Sequence, residues 1–112
     1  QMLLVTTPSE ASRFIVSKSV RMAREAGVPT VALVANMTEQ ACPSCGHKSQ
    51  LFEGNGAKRL AEDSGLPLWA EIPFDAHFGS STDLGLNPET PSNQAILTLA
   101  DKVIDAMSTE KP

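Results

Sequence analysis

Short apolar runs alternate along this chain with longer stretches in which apolar residues return every three or four positions. The runs cover residues 2–5, 30–35 and 68–72 and read as strands. They show little apolar/polar alternation, which is how strands covered on both faces read, as in parallel sheets. The periodic stretches read as helices. The first spans 9–26, with Ser9 placed as N-cap, Glu10 in the opening turn and Gly27 where the helix must stop. On its wheel Ala11, Ile15, Val16, Val20, Met22, Ala23 and Ala26 fill one side and Glu10, Arg13, Arg21 and Arg24 the other. That pattern predicts a helix lying on a sheet. A short helix over 57–64 points Ala57, Leu60 and Ala61 inward and ends at Gly65. A last helix, from about 92 to 107, turns in Ala95, Ile96, Leu99, Ala100, Val103, Ile104 and Met107. Residues 36–50 read as a polar loop. The third strand stops at Pro73, and 74–92 is a long irregular segment rich in turn residues.

The order strand, helix, strand, loop, helix, strand, loop, helix leaves room for right-handed crossovers and predicts an α/β fold built on a parallel sheet. In such sheets ligands gather beyond the carboxyl ends of the strands. The Thr6-Thr7-Pro8 turn, Asn36 and Pro73-Phe74-Asp75 fall at that edge. The 112 residues make at most one domain, and their 41% apolar content is enough for a modest core. A net charge of −4 without a basic cluster weighs against nucleic acid as partner. No run has the length to cross a bilayer, so no membrane role is expected, and no signal-peptide pattern opens the chain. Two cysteines are too few for a disulfide scaffold and fit a reducing, cytoplasmic setting. The apolar run at residues 2–5, arriving without a polar leader, is expected to be a central strand of a larger sheet. The chain is thus expected to be a partial domain, with an apolar face exposed around Leu4 or Ile15.

Both cysteines lie in Cys42-Pro43-Ser44-Cys45-Gly46, a spacing that lets two thiolates grip one soft metal atom. A stable tetrahedral or cluster site wants four such ligands, so the chain offers half a site. The pair can serve as a redox dithiol, a zinc knuckle completed from elsewhere, a cluster site shared by two chains, or nothing chemical. Asn36 has an amide able to read a base edge, or to satisfy its own backbone. Asp75 and Asp83 sit among turn residues, and His47 and His77 lack an evident orienting partner. Gly54-Asn55-Gly56-Ala57-Lys58 is not a Walker A motif, because no strand feeds it and Arg59 follows the lysine. It reads as a flexible lead into the short helix.

Taken in order, Val5-Thr6-Thr7-Pro8, Val34-Ala35-Asn36-Met37-Thr38, Cys42-Pro43-Ser44-Cys45-Gly46, Phe52-Glu53-Gly54-Asn55-Gly56 and Glu71-Ile72-Pro73-Phe74-Asp75 resemble the carboxyl-terminal half of the Mrp/NBP35 family. These are MinD-like P-loop ATPases that carry iron–sulfur clusters. The resemblance implies a three-layer, MinD-like parallel sheet lacking its Walker A half. It implies that Cys42 and Cys45 bind a [4Fe–4S] cluster bridged across a homodimer, for delivery to apo iron–sulfur proteins. It also implies that Asn36 contacts adenine and that Pro73, Phe74 and Asp75 line the nucleotide pocket. ATP with Mg²⁺ would be bound, and slowly hydrolysed, by the full-length parent. Ala35 stands where the family often has Glu, and Asn87 replaces a proline common after Asp83 and Gly85. Without the lysine and backbone donors of a Walker A, this chain alone is expected to be inactive as an ATPase. The alternatives are a zinc-linked structural homodimer and a nucleotide-independent adaptor.

Overall fold

The computed structural model describes residues 1–41, 44–52, 54–74 and 91–109. Cys42, Pro43, Glu53, Asp75, His77, Asp83, Asn87 and most of the irregular 74–92 segment lie outside the described residues. The elements run β1 (Met2–Thr6), α1 (Glu10–Glu25), β2 (Val31–Ala41), β3 (Lys48–Ser49), α2 (Gly56–Ser64), β4 (Leu68–Phe74) and α3 (Pro91–Thr109). Strand β2 has β1 on one side and β4 on the other, both parallel to it. Met2 stands opposite Val31 and Thr6 opposite Ala35. No helix among the described residues is long and apolar enough to cross a membrane.

The core follows from the apolar half of β2. Ala32, Leu33, Val34 and Ala35 are all buried, because strands flank them on both edges. Leu33 meets Val20 of α1 and Leu60 of α2, with Leu4, Val16, Ala61, Leu66 and Leu68 closing round them. Helices α1 and α2 therefore share the sheet face that Leu33 presents, while α3 packs on β4. The helix ends are built as their residues dictate. Ser12 donates its N–H to the Ser9 hydroxyl at 3.2 Å, and Gly65 takes the left-handed conformation that closes α2.

Four expectations need correction. The sheet is mixed rather than strictly parallel, since β3 runs antiparallel to the end of β2, pairing Ser49 with Gln40 and Lys48 with Ala41. The polar loop expected over 36–50 is therefore partly strand, and its polarity reflects two strand ends projecting past the core. Strand β4 likewise runs through Pro73 to Phe74, pairing Phe74 with Gln40. Proline here sits in a short terminal pairing, where a missing donor costs little. The inward faces of α1 and α3 are narrower than their wheels suggest. Ile15 is 64% exposed and Met22 61%, Ala11 and Ala26 are exposed, and so are Ala100, Ile104 and Met107. With Phe14 at 66%, an apolar surface does exist around Ile15, whereas Leu4 packs against the core, and Val5, 58% exposed, lies on the other face of the sheet.

Candidate functional site

The carboxyl edge of the sheet carries a cleft of about 210 Å³. Its floor is Ala35 of β2 with Glu71 and Pro73 of β4, and its walls include Pro8 and the first turn of α2. Alternation along a strand explains this selection. Ala35 and Glu71 are register partners on the same face as Leu33, which is the face that α1 and α2 cover. Asn36 and its partner Ile72, and with Ile72 also Phe74, point to the opposite face. The nucleotide residues expected from the sequence thus divide, with Pro73 in the cleft and Asn36 with Phe74 behind it. Asn36 is half-buried and Phe74 is 37% exposed at the rim. Ion pairs edge the cleft, Lys58 to Glu71 at 3.9 Å and Lys48 to Glu39 at 3.6 Å. All four side chains are well exposed, so these pairs add little stability.

The seat of α2 is set by its first residue. Gly56 donates its N–H to the carbonyl of Pro8 at 2.9 Å. A Cβ added at Gly56 would sit 2.6 Å from that oxygen and 2.8 Å from the oxygen of Ser9. Only glycine lets the helix start come this close to the turn after β1. The Gly54-Asn55-Gly56 stretch is thus a docking point rather than a flexible lead. The signal that could have found it is a glycine as the first residue of an amphipathic helix, where a close backbone contact explains the missing side chain.

Beyond Asn36, β2 is distorted. Asn36 pairs with Ile72 and Gln40 with Phe74, so β2 spends four residues where β4 spends two. The surplus is a bulge over 37–39. Met37 adopts φ 58°, the left-handed region that side chains with a Cβ resist by roughly 1–2 kcal/mol. Its N–H donates to the Asn36 side-chain oxygen at 2.9 Å. A hydrogen bond of this kind returns about 1 kcal/mol, so the conformation is close to balanced.

The bulged end of β2 leads to the cysteines. Pairing of Gln40 and Ala41 with β3 makes a hairpin that projects from the carboxyl edge, with Ser44 and Cys45 in its turn and Gly46 at φ 74°. Cys45 is a free, exposed cysteine. A thiol at the tip of a projecting turn suits ligation shared with a second molecule, because nothing from its own sheet crowds it. Among the described residues no three Cys, His, Asp or Glu side chains gather closely enough to hold a metal ion. His47 is exposed beyond the turn.

Comparisons with known proteins bear on the family and the fold. Residues 1–104 match the family described as NUBPL iron-transfer P-loop NTPase. The iron-sulfur cluster carrier protein of Pyrococcus horikoshii is 34% identical over 113 residues, which cover 97% of this chain and 38% of that protein. The protein of the same description from Saccharolobus solfataricus is 32% identical over 114 residues, with the same coverage. The chain therefore spans about two fifths of the length of these relatives. The MinD cell division protein of Aquifex aeolicus superposes with a TM-score of 0.65 at 14% identity, over 92% of this chain and 43% of that one, which shows the fold alone. By the match across residues 1–104 and the identity to these carriers, the chain belongs to the NUBPL, or Mrp/NBP35-type, family of iron-transfer P-loop NTPases.

Proposed function

We propose that this chain is the cysteine-bearing part of an ATP-dependent carrier, which holds a [4Fe–4S] cluster as cargo between two copies and passes it to apo iron–sulfur proteins. The observation that carries the reading is the hairpin that lifts Cys45 clear of the sheet at the edge where ligands of such folds collect. Each copy would contribute Cys42 and Cys45, so that twofold symmetry supplies the four thiolates such a cluster needs. A cargo bridged in this way is easily released, since separating the subunits removes half its ligands at once. ATP with Mg²⁺ would be bound by the full-length protein. The base would straddle the carboxyl edge, with the Asn36 amide reading adenine, Phe74 on the same face, Pro73 meeting it from the cleft side and Asp75 completing the pocket. Asn36 and Phe74 sharing one face of the sheet supports that assignment, because a base can then meet an amide and a ring together.

The deciding experiment is anaerobic reconstitution of the full-length protein, followed by iron and sulfide analysis and gel filtration. About four irons and four sulfides per dimer are expected, lost together with dimerisation in Cys42→Ala and Cys45→Ala. Zinc held at about one per two chains, with no acid-labile sulfide, would give the site to a structural role instead.

A further inference from the structure

We propose that the bulge at residues 37–39 is a two-position coupler, which converts nucleotide contact at Asn36 into movement of the cysteine turn. This rests on Asn36 being a nucleotide contact and names the regulation that reading leaves open. Three observations meet here. Met37 is the only non-glycine residue with positive φ among the described residues. Its N–H is held by the side-chain oxygen of Asn36. The surplus of β2 over β4 lies between Asn36 and Gln40, immediately before the residues that pair with β3.

A base edge read by asparagine uses the amide oxygen as acceptor and the amide nitrogen as donor at once. In the coupler the amide plane swings towards the base and away from the Met37 N–H, giving up a bond that the second lone pair of the oxygen could otherwise keep. Met37 then keeps its left-handed backbone without the bond that supports it, and an extended conformation becomes the better one. Extending the bulge takes up its slack. The end of β2 advances by up to two residues, roughly 7 Å, and carries β3 and Cys45 with it. Residues 33–35 need not move, because β1 holds them on one side and β4 on the other. The nucleotide shifts this equilibrium only by its preference for the released Asn36, and cluster loading must shift nucleotide affinity by the same factor in return.

The test is amide hydrogen exchange at residues 44–49 of the full-length protein, with and without a non-hydrolysable ATP analogue and Mg²⁺, alongside the affinity for that analogue. In the wild type, nucleotide should change exchange in the turn by about fivefold or more. Met37→Gly takes the left-handed backbone without needing the Asn36 bond, so it should bind nucleotide almost unchanged while the response of the turn collapses. Met37→Asn, which also tolerates that backbone, should behave alike and guards against a folding defect in the glycine variant. Nucleotide binding with no response in the wild-type turn overturns the coupler, as does a full response in both variants. Asn36→Ala separates the two levels. Unchanged nucleotide affinity in that variant would remove the contact beneath the proposal, and the coupler with it. Weakened affinity together with a turn that still responds in full at saturating analogue would sink the coupler alone.

Discussion

Residues 31–35 and 36–41 belong to one strand yet obey different rules. The first half pairs with β1 without a shift from Met2–Val31 to Thr6–Ala35, its residues 32–35 are buried, and β4 flanks it from Leu33 on with one register shift between Leu33 and Val34. The second half outruns β1, bulges at Met37 and ends in a short pairing with β3. Burial fixes the first half, because any slip would turn apolar side chains to water. Little apolar surface holds the second half, so local hydrogen bonds of about 1 kcal/mol decide its shape. The contrast separates a half held by burial from a half held by local hydrogen bonds.

The sharpest way to break this comparison is in the floor. Leu33 is fully buried against Val20 and Leu60, and Leu33→Ala should cost about 2–5 kcal/mol in urea unfolding. A loss far below that range would mean the buried half is not the stabilising one. Gly56→Ala comes next. Its methyl group would press on two backbone oxygens that cannot step aside, for about 1–3 kcal/mol, and a neutral result would refute the tight docking of α2 on the turn after β1. Cys45→Ala tests the other half. The exposed turn should lose its cargo yet change unfolding free energy by no more than about 0.5 kcal/mol. A large destabilisation there would make the hairpin structural.

The smallest effect concerns the ion pairs that tie α1 to α2 above the floor. Arg13 reaches Glu10 at 2.8 Å and Asp63 at 3.2 Å, and Arg59 reaches Glu10 at 3.1 Å. The hydrogen bond from Arg13 holds the Glu10 carboxyl below its ordinary value; desolvation opposes it, and the charges of Arg13 and Arg59 add to the lowering. A depressed carboxyl favours the folded state above its ordinary value, and the benefit disappears as pH falls through the lowered one. Wild type and Glu10→Gln should therefore differ slightly in unfolding midpoint at neutral pH and converge in acid. A gap that widens in acid would contradict the assignment. The group is fully exposed, so the whole effect is expected to be slight.

The apolar rhythm was enough to place β1, α1, the buried half of β2, α2 and α3, because a side chain that must leave water declares itself by its spacing. The N-cap at Ser9 and the stop at Gly65 were legible for the same local reason. The order of the short motifs is enough to suggest the family and to single out Asn36 and Cys45. Tertiary structure alone decided the rest. Ile15 and Met22 look as apolar as Val20 on a wheel, but the sheet is too narrow to cover all three. The antiparallel β3, the bulge at Met37 and the seat of Gly56 on Pro8 depend on residues far apart in the chain. In each, a backbone hydrogen bond or a close approach decides the geometry, and neither leaves a periodic trace in the sequence.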